Sequence, residues 1–575
     1  MRAPVFFVIA LLCVGYLGLD WVWLAADEGI QTTDAAYHFS RVASLRGGLL
    51  GTEQGSGFDG QRYGGLVYYL AALLSMLVGL EPPRLLFALA VLLRPLLVVG
   101  LYRLGWELAV PDRRQQTGVL AACLGLMLPG FVNYGRVLVL DLPLTVAITW
   151  AAVFALSAAR EDLGGSITRT TRMGLISTVL AALLIKLNAL AFLAGPLWVL
   201  ARPRLRALPT RTLLLRLVGA AAAVGGLAAV LLASARGSAL RRTLVEATWP
   251  GALVFGYLPQ GSAATFLPDW LGLSVQHTWE AAYYTWLQTL SPPWCVLGLA
   301  AFVWFFSRRH GCEDPVGHIQ RDAAFWWFIV PAIGVTFGLR GLYDERYVLP
   351  LLPLVAGILA TAAMDVPRPW LRRAVIAIAL LGGALNHGFI HHDVWPTARP
   401  LVCADVPGWT TSERVGDSLW TCLAYPEYSF MDRPATPWDP DLPVADIDDI
   451  LEVIADGGAP LKAVFLDDLY DVFYALWQSS LMADRPVLRH EDMLLLTDCW
   501  DEARMTAVFE SRAEVDRQIS QSHVVIMRFG VPHGESGVRG RRCAVFWDQQ
   551  SWFEVAGDVP LSDGTSVRVY RNTRR

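Results

Sequence analysis

The stretch Asp34-Ala-Ala-Tyr37-His38-Phe-Ser-Arg41 sets a carboxylate, a phenol, an imidazole and a guanidinium at helical spacing, all on one face. A carboxylate on such an interfacial helix suits a general base, which must sit within hydrogen-bond reach of the hydroxyl it deprotonates. Partial burial would raise its pKa and strengthen it as a base. Asp34 equally suits an N-cap, and spacing leaves both roles open. A second carboxylate stands in Arg136-Val-Leu-Val-Leu-Asp141-Leu-Pro143, where Asp with Pro close behind opens a helix. Asp34 and Asp141 together suit either a divalent cation held by oxygen ligands or the orientation of a substrate.

The chain has only two lysines, Lys186 and Lys462, beside 45 arginines. Lys186 lies within the apolar run Leu183-Leu-Ile-Lys186-Leu-Asn188. A compact point charge there suits a phosphate, and a lysine snorkelling to the interface is the bland alternative. Gly338-Leu-Arg340-Gly-Leu-Tyr343-Asp-Glu-Arg346-Tyr347 is a further charged cluster. Its arginines suit bidentate contacts to a phosphate head group, or ion pairs with Asp344 and Glu345. Asp27 and Glu28 add acidity close to Asp34.

These residues must be positioned by membrane helices. Of 575 residues, 54% are hydrophobic and 17% charged, with mean hydropathy +0.42; soluble domains carry about 25% charged residues. Apolar runs at 3–25, 84–104, 116–134, 138–159, 213–234, 293–307, 323–339, 347–364 and 372–390, with 173–201 as two short helices meeting near Lys186, predict about eleven spans. Residues 63–80 are expected to form an embedded external helix that does not cross. Arginines cluster in one set of loops, which assigns those loops to the cytoplasm. The loops carrying Asp34, Asp141, Lys186 and Arg346 then lie outside, as does the tail from 391. Residues 1–390 hold 30 basic and 21 acidic residues, and 391–575 hold 17 and 30. This acidic tail argues against nucleic acid as a partner. It reads as a soluble α/β domain, with strands at 462–467, 523–528 and 565–570 and helices at 443–456 and 469–482. Four of the eight cysteines (Cys403, Cys422, Cys499, Cys543) fall in it, as two disulfides or four buried thiols. No nucleotide-binding or HExxH motif occurs.

Taken in order, Asp34 with Tyr37, the Arg136–Asp141–Pro143–Leu144 element, a lone Lys186 between two short helices, and Arg346-Tyr347-x-Leu349-Pro350-x-x-Pro353 resemble the GT-C superfamily of integral-membrane glycosyltransferases. The similarity is to the branch of protein O-mannosyltransferases and the lipid A aminoarabinose transferase. It implies a polytopic α-helical catalytic domain over 1–390 and a periplasmic α/β domain over 391–575, in a bacterial-type inner membrane. It implies inverting hexosyl or pentosyl transfer from a polyprenyl-phosphate-linked sugar to a protein, lipid A or glycan acceptor on the outer face. Asp34 would be the base, with Asp27 its rival. Asp141 would place the donor or a metal, and Lys186, Arg346 and Arg340 would hold the lipid phosphate. Tyr37, His38, Arg136 and Tyr347 would support them. No cofactor is required by this chemistry, and a divalent cation is an open addition. The rival function is a transporter or flippase of a lipid-linked envelope precursor, with the same charges lining a pathway. The absence of repeated halves and the one-sided placement of the polar groups favour the transferase.

Overall fold

The computed structural model describes residues 3–26, 33–50, 65–163, 165–186, 189–206, 290, 292–307, 315–338, 345–390, 444–455, 461–466, 476, 488–496, 517–529, 550–561 and 566–574. The chain divides into two compact units. One comprises Met1–Trp21, Ser56–Leu70 and Leu89–Ser429, and the other Val22–Gly55, Ala71–Ala88 and Phe430–Arg575.

Helices occupy ten of the eleven predicted apolar runs; the eleventh, 213–234, lies outside the described residues. They begin with α1 (Ala3–Ala26), α2 (Thr33–Leu50), α3 (Leu66–Val78), α4 (Pro82–Leu108), α5 (Arg114–Leu126) and α6 (Pro129–Asn133). Then follow α7 (Asp141–Leu163), α8 (Arg169–Ile185), α9 (Ala189–Arg206), α10 (Pro292–Ser307), α11 (Pro315–Gly338), α12 (Leu352–Asp365) and α13 (Pro369–Ile390). Among the described residues four segments are long and apolar enough to cross a membrane: Pro4–Val22, Pro83–Leu108, Asp141–Leu163 and Val348–Asp365. The chain is a multi-pass membrane protein by this measure.

Local sequence explains where the helices start and stop. The run 116–134 is interrupted because Pro129 opens a new short helix, so α5 ends at Leu126. Residues 345–351 form a 3-10 turn before α12, with Pro350 inside it and Pro353 in the first turn of α12. The 63–80 segment holds a helix of 13 residues, shorter than the roughly 20 a crossing needs. Thr168 caps α8 by accepting a 3.3 Å hydrogen bond from the Thr171 amide.

Burial sorts the helices of the first unit. Nearly every residue of α12 and most of α7 are buried, whereas α1 exposes Phe6, Phe7, Leu11 and Val14. An apolar exposed face is what lipid solvates. Helix α9 packs against α11 so closely that a Cβ on Gly195 would stand 2.4 Å from the Trp327 backbone nitrogen.

The second unit contains α14 (Val444–Ala455) and a five-stranded mixed sheet. Its strands are β1 (Leu461–Leu466), β2 (Leu488–Leu496), β3 (Val524–Phe529), β4 (Phe553–Pro560) and β5 (Ser566–Asn572), in the order β2-β1-β3-β5-β4. Strand β1 runs parallel to β2 and β3, while β5 is antiparallel to β3 and β4. Ile447, Ile450 and Ile454 recur at helical spacing on α14 and are wholly buried with Ala463, Phe465, Val524, Ile526, Val567 and Val569. Strands β1, β3 and β5 match the predicted ones; β2 and β4 are additions. The expected helix 469–482 lies outside the described residues except for Leu476, which is helical. The four tail cysteines lie outside them too.

Candidate active site

Asp141 is the first residue of α7, and Thr145 hydroxyl donates to its carbonyl at 2.7 Å. The side chain is buried. Lys186 terminates α8 in an extended conformation (φ −157°, ψ 130°), its amide still donating to Ala182 carbonyl at 3.1 Å. The chain then turns directly into α9, with Ala189 amide donating to Lys186 carbonyl at 3.0 Å. This reversal, packed against α7, carries the ammonium to the start of α7. Lys186 Nζ donates to Asp141 Oδ1 at 2.8 Å and to Oδ2 at 3.1 Å, with the lysine only 9% and the aspartate 2% exposed. The lysine is thus drawn into the protein rather than extended to solvent.

Five residues upstream, Arg136 enters a second buried ion cluster that sequence reasoning did not find. Its centre is Asp20 of α1, fully buried. Asp20 Oδ2 accepts from Arg94 Nε at 2.9 Å, and Oδ1 accepts from Arg94 Nη2 at 3.3 Å and from Arg136 Nε at 3.1 Å. Arg94 Nη1 also donates to the Phe131 carbonyl at 2.6 Å, and its guanidinium stands 5.4 Å from the centre of the Tyr16 ring. Burying a charge at membrane depth is costly unless it is paired and hydrogen-bonded; here Asp20 and Arg94 each carry several bonds, and Arg136 is paired with Asp20. Gly135 is required beside this cluster, because a Cβ there would lie 1.8 Å from Arg94 Nη2. The bonds to Phe131 carbonyl and to Arg136 tie the 129–140 segment to α1 and α4. That buried segment in turn presents Asp141. The available sequence signal was a charge well away from the ends of an apolar run: Asp20 alone in 3–25, and Arg94 in the middle of 84–104, whose other arginines stand near its ends.

The remaining candidates fall differently. Asp34 and Tyr37 stand in α2, beginning at Thr33, and Arg346 and Tyr347 stand in the 3-10 turn Glu345–Leu351. His38 on α2 is buried at 4% exposure. Asp27 and Arg340 lie outside the described residues. Among the described residues no three His, Cys, Asp or Glu side chains come together as metal ligands. Both Asp141 oxygens face the Lys186 ammonium, which a divalent cation would have to displace.

No family model and no curated protein matches the chain. Solved structures do. ArnT from Cupriavidus metallidurans bound to undecaprenyl phosphate is 14% identical, with 97% of each chain covered and a TM-score of 0.53. The oligosaccharyltransferase of Archaeoglobus fulgidus in complex with Zn and sulfate is 13% identical over 90% of this chain and 67% of that one, with a TM-score of 0.50. At such identities the likeness is one of fold. The chain shares the fold of these two solved structures.

Proposed function

We propose that the protein is a glycosyltransferase of the bacterial inner membrane. It moves a monosaccharide, with inversion, from a polyprenyl-phosphate donor to a protein, lipid or glycan acceptor on the outer face. The observation that carries this reading is the buried ion pair of Lys186 and Asp141 at 2.8 Å, set in a GT-C-like fold. ArnT, of that fold, holds undecaprenyl phosphate.

In the proposed reaction an acceptor hydroxyl attacks the anomeric carbon of the sugar. A new C–O bond forms as the bond to the lipid phosphate breaks, and the hydroxyl proton passes to the Asp34 carboxylate. The charge gathering on the departing phosphate is stabilised by Lys186 and Arg346, with Arg340 as a further phosphate contact. Asp141 holds the Lys186 ammonium in one place, so that it is oriented before the donor arrives. Tyr37, His38 and Tyr347 shape the site, and Arg136 anchors the segment that ends in Asp141. Residues 1–390 form the catalytic membrane domain. Residues 391–575 form the external α/β domain, whose position suits contact with the acceptor.

The test uses purified protein in detergent, a labelled polyprenyl-phosphate sugar and an envelope extract. Label should leave the lipid with wild type, and the rate should fall by about 10²–10⁴-fold in Asp34→Asn, the range for losing a general base. Full transfer by Asp34→Asn with loss in Asp27→Asn would move the base to Asp27. Translocation of the intact lipid-linked sugar across vesicles, with no transfer by wild type, would favour the transporter instead.

A further inference from the structure

At the far end of α7 from Asp141, the ends of α5, α7 and α11 converge on Trp106 and Glu107 of α4. Asp141 and Ser157 are 16 residues apart on one helix, a rise of about 24 Å, so this cluster and the candidate active site stand at opposite ends of α7. The Glu107 carboxylate is buried, accepting from Ser157 hydroxyl at 2.9 Å and pairing with Arg160 at 2.6 Å and Arg103 at 3.5 Å. Gln320 of α11 donates to its backbone carbonyl at 2.6 Å. Arg113 reaches the end of α12, donating to the Met364 carbonyl and standing 3.9 Å from Asp365.

Three guanidinium groups gather round the single Trp106 ring: Arg103 at 4.8 Å, Arg114 at 4.5 Å and Arg160 at 5.2 Å from its centre. They therefore lie within about a Debye length of one another, ~10 Å at 0.1 M salt. Among the described residues Glu107 is the only carboxylate in ion-pair contact with any of the three. Arg114 has none, and the Nε atoms of Arg114 and Arg160 are buried without a hydrogen-bond partner. Asp112 is exposed and joins no ion pair among the described residues. Arg114 also opens α5, whose start carries no side-chain cap and follows directly on a 3-10 turn at Pro111–Arg113. Arg103 and Arg113 keep 40% and 35% of their side chains exposed, so the cluster opens to its surroundings. Three like charges against one carboxylate, stacked on a ring, call for an anion. At the end of a membrane helix bundle the abundant anion is a phosphodiester head group.

We propose that Arg103, Arg114 and Arg160 around Trp106, with Arg113 beside them, bind the phosphate of an anionic phospholipid in the leaflet opposite the candidate active site. The tryptophan holds the guanidinium groups at fixed positions. This site is independent of the glycosyl-transfer reading and rests on the bundle's being embedded in a membrane.

The experiment is native mass spectrometry of the delipidated full-length protein titrated with phosphatidylglycerol or phosphatidylcholine. Phosphatidylglycerol should be retained over phosphatidylcholine, and its affinity should drop about fivefold in Arg114→Gln and again in Arg103→Gln. Neither substitution strips Glu107 of Arg160, its closest partner, and an unchanged melting temperature verifies the fold. Arg373→Gln, an exposed arginine at the start of α13, should leave retention unchanged. Equal retention of both lipids, or an equal loss in Arg373→Gln, would overturn the proposal. Displacement of phosphatidylglycerol by excess inorganic phosphate would also overturn it, by making this a site for free phosphate.

Discussion

Lys186 and Asp141 illustrate how a buried pair can serve structure and chemistry through different properties. Removing one partner leaves an uncompensated buried charge, at a cost of about 3–5 kcal/mol, whereas replacing both is often close to neutral. Asp141→Asn and Lys186→Met are each expected to lower the unfolding temperature in detergent, and the double variant to recover most of it. Stability then separates from activity. The double variant should still fail to release label from a polyprenyl-phosphate sugar, because the leaving phosphate has lost its lysine. Transfer near the wild-type rate by the double variant would reduce Lys186 to a structural ion. How much of this was legible in the sequence depends on the residue. A lone lysine in an apolar run signals a constraint, and Asp141 before Pro143 signals a helix start. Their meeting across 45 residues is a tertiary fact that spacing cannot give. Asp20 and Arg94 carried the same kind of signal, charges in the interior of apolar runs. Their partnership, 74 residues apart, and the extension to Arg136, 116 residues from Asp20, depend on which helices pack together.

Elements show a parallel division between what pattern reveals and what packing decides. In the sheet, the three strands legible in the sequence are its three central ones. The two missed, β2 and β4, are its edges. Strand β2 carries Arg489, His490, Glu491 and Asp492 in mid-strand, and β4 is exposed over most of its length with a register shift between Val555 and Gly557. Charges and bulges on edge strands discourage pairing with a further chain, and they also erase the alternation by which strands are recognised. Among the helices, close approach is set by residues with no side chain. Gly195 on α9 meets the Trp327 backbone of α11, which cannot move aside as a flexible side chain could. Gly195→Ala is expected to destabilise by about 1–3 kcal/mol through overpacking, read as a lower unfolding temperature in detergent. Gly298 on α10 supplies the matched control, since a Cβ there meets only Val355 Cγ1 at an ordinary 3.7 Å. Gly298→Ala should be neutral or slightly stabilising, as alanine favours a helix over glycine by about 1 kcal/mol. If the two variants melt together, close packing at Gly195 does not govern the α9–α11 contact.

At the scale of the whole molecule, the helix ends sort by charge. The α4–α5, α7–α8 and α12–α13 connections carry Arg103, Arg113 and Arg114, then Arg160, Arg169 and Arg172, then Arg368, Arg372 and Arg373. The contact of Arg113 with the end of α12 joins the first and last of these connections, and Arg160 with Glu107 joins the first and second. The α6–α7 segment and the α8–α9 turn, which carry Arg136, Asp141 and Lys186, lie at the other ends of the same helices. The positive-inside rule predicts that the arginine ends face the cytoplasm and that Asp141 and Lys186 face outward. Sidedness of the tail then follows from α13 alone, without counting the earlier crossings or deciding the role of 63–80. Helix α13 begins at the arginine end and runs 22 residues to Ile390, a rise of about 33 Å against a hydrocarbon core of about 30 Å. The chain from 391 onward is therefore expected on the same side as Asp141. Alkaline phosphatase fused after Arg575 should be active in a Gram-negative host, and a green fluorescent protein fused there should stay dark. A bright, phosphatase-inactive pair would place the sheet in the cytoplasm. That outcome would separate the α/β domain from the proposed outer-face acceptor, while leaving the ion pair of Asp141 and Lys186 to be tested by its own variants.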